Sequence, residues 1–261
     1  MEGGRGGYYD TSGAIRDILQ NHLLQLLSLV AMEAPSNLTP KAIRDEKVKV
    51  LQCLRPPSED PDPLRTIVRG QYEGFRQEPG VAPGSETETF IAARAYIDNW
   101  RWGGVPFLLR TGKCLPDRFT SITVQFRMPP TTLFGSYQEC HLRPNRITLR
   151  IQPNDGISMD FDVKEPGHGL QIRPAKLNFD YQDYFHKPSP EAYQRLLQDV
   201  VTGDQSLFIR SDEVEESWRW TDSLREAMTK TPVHQYAKNT WGPAAANDMF
   251  GECEGRWVQS P

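Results

Sequence analysis

Between Thr66 and Gln152 the chain reads as strand after strand with no helical pattern between them. Residues 66–72, 89–97, 105–111, 121–126 and 146–152 are each enriched in β-branched and aromatic side chains. Strands that follow one another without crossover helices pair antiparallel. The chain is therefore expected to be an α+β protein with a large, mainly antiparallel β-sheet. Val124 and Phe126 alternate with Thr123 and Gln125, and Ile147, Leu149 and Ile151 alternate with Arg146, Thr148 and Arg150. That pattern predicts one buried apolar face and one polar face. Shorter strands are expected at 157–163 and 176–179.

Helical patterns flank this region. A first helix is expected over 12–33, with Thr11 or Ser12 as N-cap and Pro35 beyond its end. A second is expected over 40–54, with Pro40 in its first turn. Its inner face would be Ile43, Lys47, Val50, Leu51 and Leu54, with Lys47 contributing an aliphatic stem. The Pro-rich residues 55–63 cannot be regular structure. Two late helices fit 190–201 and 212–228, and the last thirty or so residues read as loop. A hydrophobic fraction of 38%, with six Trp and eleven Phe, permits a sizeable core.

Charge and cysteine content narrow the function classes. A net charge of −4 gives no global reason to expect nucleic acid or an anionic membrane as partner. Cys53, Cys114, Cys140 and Cys253 are scattered, without C-x-x-C or metal-ligand spacing, and His141 beside Cys140 is not enough to propose zinc. No metal site is expected, and the thiols read as reduced and intracellular. The longest apolar run, 23–32, is broken by Gln25 and Ser28 and is too short to span a bilayer. A soluble cytoplasmic protein is expected.

The first helix also carries chemistry. Ile15, Ile18, Leu19, Leu26 and Leu29 form an apolar stripe at helical spacing, and His22 falls on it. A half-buried imidazole can exchange a proton near neutral pH, although a lone His on such a stripe is more usually a hydrogen-bonded core residue. Two features favour the functional reading. A Gly-rich run, 3–7, precedes the helix, and a basic loop, 110–118, follows an apolar strand. From residue 101 to 120 the basic Arg101, Arg110, Lys113 and Arg118 outnumber the acid Asp117. An imidazole and a basic loop suit an anionic substrate that must lose a proton.

The run Gly4-Arg5-Gly6-Gly7-Tyr8-Tyr9-Asp10, with Ile15-Arg16-Asp17 and Gln20-Asn21-His22-Leu23-Leu24-Gln25, resembles the catalytic-helix signature of the glucose-6-phosphate dehydrogenases. The resemblance continues, in order, through Val68-Arg69-Gly70-Gln71-Tyr72, Trp100-Arg101-Trp102-Gly103-Gly104-Val105-Pro106-Phe107, Arg110-Thr111-Gly112-Lys113 and Leu149-Arg150-Ile151-Gln152-Pro153-Asn154, to Phe208-Ile209-Arg210-Ser211-Asp212-Glu213. It implies a single family domain over 1–261, the C-terminal substrate and oligomerisation domain, an α+β fold with helices packed on one face of the large antiparallel sheet. The family's NADP-binding Rossmann domain and a second active-site peptide, which carries phosphate ligands, are not found in these residues.

The resemblance implies that His22 is the general base on the C1 hydroxyl of glucose 6-phosphate, with hydride passing to NADP and a 6-phosphogluconolactone forming. It implies substrate-binding roles for Asp17, Lys113, Arg118 and, less directly, Gln152. Without it, Asp17 reads as a helix-dipole partner, and Lys113 and Arg118 as solvated charges. It implies a homo-oligomer formed through the sheet. Animal members hold a second, structural NADP. Arg110 and Arg150 fit that site, but its other basic positions are Phe119, Thr123 and Asp160 in this chain, so the site is not expected. The chain alone is expected to be inactive or nearly so. The alternatives are a non-catalytic assembly module, pairing through the polar face of Thr148 and Arg150, and a truncated gene product.

One geometric condition follows for the first helix. Residues five apart on an α-helix differ by about 140°. Asp17 and His22 can serve one pocket only if it wraps the helix edge or a π-type bulge lies between them.

Overall fold

The computed structural model describes residues 4–60, 62–128, 143–167, 171–186, 192–250 and 256–259. Cys140, His141, Cys253 and the start of the helix expected from Pro190 lie outside them. The chain divides into two compact units. The first holds Met1–Pro116 and Ala192–Met249, the second Asp117–Glu191 and Phe250–Pro261.

In the first unit a helical arm precedes the sheet: α1 (Gly6–Ala14), a π-helix (Ile15–Leu23), α2 (Leu24–Ala31), α3 (Pro40–Gln52) and the short α4 (Pro63–Thr66). Strands β1 (Ile67–Tyr72), β2 (Phe90–Ala95) and β3 (Phe107–Gly112) then pair antiparallel. After α6 (Ala192–Thr202) and α7 (Ser211–Met228), β8 (Val233–Tyr236) returns to pair parallel with β1, giving the order β3-β2-β1-β8. In β2, Phe90, Ile91, Ala92, Ala93 and Ala95 are all buried, as a strand covered on both faces requires.

The long first helix expected from the sequence is broken. Gly13 takes φ 65° and ψ 176°, which stops α1. A new helix starts without a side-chain cap from Thr11 or Ser12. Instead the Ala14 amide donates to the Glu88 carbonyl at 2.9 Å, and the Ile15 amide to the Glu88 carboxyl at 3.0 Å. In the π-helix that follows, Leu24 N–H donates to Leu19 O, five residues back. The extra residue per turn rotates the buried face. Leu19, Leu24, Leu27, Ser28 and Ala31 point inward, whereas Leu29 of the expected stripe is 48% exposed.

Helix α3 starts as expected, with Pro40 in the first turn and Thr39 Oγ1 accepting from Ala42 N–H. Lys47 on its inner face is more than an aliphatic stem. Its ammonium meets Glu213 of α7 at 2.6 Å with both side chains buried, and Glu213 also accepts the Arg210 N–H that opens α7. An expectation drawn from one helix could not include the partner, because it lies far along the chain.

The second unit is a four-stranded antiparallel sheet of β4 (Thr120–Gln125), β5 (Arg146–Gln152), β6 (Gly156–Lys164) and β7 (Ile172–Asp180), followed by the short α5 (Tyr181–Phe185). The α+β class and the antiparallel pairing are those the sequence predicts, with the strands shared between two sheets. The two faces do not divide into a buried apolar side and a solvated polar side as expected. Thr148 and Ser158 are buried, while Val124, Ile151, Ile157, Val163 and Leu177 are each more than a third exposed.

Candidate active site

The π-helix meets the condition that spacing set for Asp17 and His22. In i→i+5 winding, residues five apart return to nearly the same side of the helix, so both project from one side. His22 is exposed rather than half-buried on the apolar stripe, because the π-turn that carries Leu24 inward carries His22 outward. Among the described residues it takes part in no hydrogen bond or ion pair, and its imidazole is open to a ligand.

Lys113 follows the last residue of β3 and reaches the same helix. Its ammonium lies 3.2 Å from the Asp17 carboxylate and 4.8 Å above the ring of Tyr9. Both charged side chains are partly exposed, at 35% and 23%, so neither is sealed in the core and each has capacity left for another polar group. The backbone here is held firmly. Lys113 N–H donates to Thr89 O at 2.9 Å, and Tyr236 O–H donates to Lys113 O at 2.8 Å. Cys114 takes φ 54°, a left-handed turn secured by Asn239 N–H to its carbonyl at 2.8 Å.

The floor of this region is aromatic. Tyr9, Tyr72, Phe75, Phe90 and Tyr236 meet edge to face. Burial, with the Asp17 and Glu88 carboxylates nearby, pushes the Tyr9 phenol far above its ordinary range. Burial also raises the Glu88 carboxyl. Sequence reading missed Tyr9, Thr89, Glu88 and Tyr236. Tyr9 stood in the quoted Gly-rich signature, but Tyr236 lies on a four-residue strand within what read as a terminal loop.

Arg118 and Gln152 belong to the second unit, where both line a cleft of about 250 Å³ with Phe119, Arg150, Pro153 and Asn154. The shift in strand register between Thr120 and Ser121 places Gln152 opposite Thr120 at the end of the sheet. Arg150 is engaged by the Phe179 carbonyl at 3.1 Å and the Asp180 carboxylate at 3.5 Å. The structure thus brings Asp17, His22 and Lys113 together in one unit, and Arg118 and Gln152 together in the other. Among the described residues no cluster of His, Cys, Asp and Glu could hold a metal ion, and no helix is long and apolar enough to cross a membrane.

An imidazole and a carboxylate on one helix, with an ammonium from the end of a sheet strand against that carboxylate, define an α+β domain that sets a proton-accepting group among charged ones. The chain belongs to the family described as glucose-6-phosphate dehydrogenase, C-terminal domain, whose model matches residues 2–258. It is 45% identical over 266 residues to glucose-6-phosphate 1-dehydrogenase of Treponema pallidum (strain Nichols), covering 97% of this chain and 52% of that protein. With the enzyme of the same name from Mycolicibacterium smegmatis it shares 44% identity, over 98% of this chain and 53% of that one. Its structure matches that of the Mycobacterium avium enzyme with a TM-score of 0.85 at 36% identity, covering 100% of this chain and 53% of the other. A glucose-6-phosphate dehydrogenase solved with glucose 6-phosphate gives 0.84 at 33% identity, covering 98% of this chain and 53% of that chain. The chain spans about half the length of the curated relatives it matches.

Proposed function

We propose that this chain is the substrate-binding and oligomerisation part of an NADP-dependent glucose-6-phosphate dehydrogenase, which oxidises glucose 6-phosphate at C1 to the 6-phosphogluconolactone. The reading is carried by the Asp17–Lys113 pair, 3.2 Å apart, on the helix side that also presents His22. His22 takes the proton from the C1 hydroxyl, which makes loss of hydride from that carbon easier. The Asp17 carboxylate accepts from sugar hydroxyls and the Lys113 ammonium donates to them.

The described residues do not fit a dinucleotide. Gly6 and Gly7 lie inside α1 and not in a strand-to-helix turn, and the one parallel pairing among the described strands is β1 with β8. The steps assigned to this chain are therefore substrate binding and proton removal.

Calorimetric titration of the chain with glucose 6-phosphate tests the reading. Binding that weakens in Lys113→Ala and persists in His22→Asn supports it. Equal binding by wild type and Lys113→Ala overturns it.

The exposed apolar face of the second sheet supports a second role, self-association. Val124, Ile151, Ile157, Val163 and Leu177 leave too much apolar surface for a face that meets only water. We propose that two copies pair through this face, not through the polar face with Thr148, which is buried.

A further inference from the structure

We propose that Tyr236 is a positioning residue for Lys113, holding its ammonium in register with Asp17 through a chain of hydrogen bonds that starts on β1. The inference rests on the reading of Lys113 as a substrate ligand. Tyr72 N–H donates to Thr89 Oγ1 at 2.9 Å. Thr89 Oγ1 lies 3.1 Å from Tyr236 Oη, and Tyr236 O–H donates to Lys113 O at 2.8 Å. With Tyr72 N–H as donor to Thr89, the Thr89 hydroxyl proton is left for Tyr236, and the Tyr236 proton for Lys113. Tyr236 Oη also lies 3.3 Å from Thr89 O, but Lys113 O at 2.8 Å is the nearer acceptor, and each bond polarises the next.

The surroundings make this chain directional. Tyr236 is 4% exposed, and its ring packs edge to face on Phe90 and Tyr72. Burial keeps its phenol protonated well above the ordinary range, so it remains a donor at every working pH. Lys113 needs such an anchor. It lies between the end of β3 and the left-handed Cys114, so its backbone is held by single bonds on either side and not by a strand ladder. Thr89 O and Tyr236 Oη fix the two polar groups of the Lys113 backbone, and Asn239 fixes the Cys114 carbonyl. A rotation of this peptide would swing the long side chain away from Asp17 and from the Tyr9 ring.

Tyr236→Phe removes the hydroxyl and leaves the ring. Two measurements read its effect on the full chain. After reductive methylation with carbon-13, which keeps the charge, the Lys113 methyl signal should carry a ring-current shift from Tyr9, and the urea-unfolded chain gives the unshifted reference. The expected result is that Tyr236→Phe, still folded, moves the signal toward that reference. Binding of glucose 6-phosphate should weaken about fivefold to tenfold, the factor carried by one net hydrogen bond, with no further loss when the change is made in Lys113→Ala. Thr89→Val breaks the same chain one link earlier and should move the signal in the same direction, which keeps the test open if Tyr236→Phe does not fold. A Lys113 signal unmoved in a folded variant overturns the inference. A signal that moves while wild type and Lys113→Ala bind the sugar phosphate equally leaves the positioning role standing and overturns the substrate reading instead.

Discussion

Replacing Gly13 by alanine should be among the most damaging single-methyl additions to this chain. Gly13 is the joint between α1 and the π-helix, at φ 65° and ψ 176°. Holding a residue with a Cβ in that region costs about 1–3 kcal/mol. The added Cβ would also fall onto the Glu88 carboxyl, which accepts the Ile15 amide at 3.0 Å. Pushing that carboxyl aside leaves a buried N–H and a buried acid without each other, at a further cost of about 1–3 kcal/mol. The combined loss of about 2–6 kcal/mol is a large share of the 5–15 kcal/mol that folded domains typically have. Urea unfolding followed by tryptophan fluorescence measures it, because Trp102 and Trp220 both lie in this unit. Made in Glu88→Ala, the same substitution should cost only the backbone part, about 1–3 kcal/mol. A Gly13→Ala chain within about 0.5 kcal/mol of wild type would refute the reasoning, since neither the bend nor the Glu88 contact would then define the joint.

Lys47→Met should destabilise by about 3–5 kcal/mol by leaving Glu213 charged and alone in the core; adding Glu213→Met should recover all but the roughly 1 kcal/mol of the lost helix cap, as read by chemical denaturation. Glu88 gives a pH signature. Burial raises its folded pKa above the ordinary 4.5, so the folded state binds the proton more tightly than the unfolded state. Its contribution is then fully present below about 4.5 and is lost as pH rises through the raised value. Glu88→Gln keeps an acceptor for Ile15 and should gain stability relative to wild type as pH rises, which paired unfolding curves at acid and neutral pH would show; parallel curves would count against it. Leu177→Lys, at an exposed site on the second sheet, should weaken self-association by about 100-fold or more in sedimentation equilibrium without lowering the unfolding midpoint. The 261-residue chain alone should produce no measurable NADPH from glucose 6-phosphate and NADP. Turnover by the unsupplemented chain would overturn that expectation.

The strands were the most legible part of this protein. β-Branched and aromatic enrichment located β1 to β6 to within a few residues, because each strand faces a sheet neighbour close in the chain. Strand β8 was not legible. It pairs parallel with β1, from which more than half the chain separates it, and four residues carry no usable alternation. The Lys47–Glu213 pair was hidden for the same reason.

In the site, the sequence by itself determined which residues are the candidates for the chemistry. His22, Asp17, Lys113, Arg118 and Gln152 were named from the resemblance to the family's motifs, and the condition that residues five apart must share a side was stated from helix geometry alone. Only the tertiary structure decided how that condition is met. Gly13 breaks the helix, Glu88 caps its restart from a distant segment, and the π-turn aligns Asp17 with His22. It also decided that Tyr236 donates to the Lys113 carbonyl, and that the second sheet leaves Val124, Ile151, Ile157, Val163 and Leu177 exposed. Local periodicity records the average winding of a helix and the alternation of a strand. Where the winding slips, and which face of a strand is covered, depend on side chains that arrive from elsewhere in the chain.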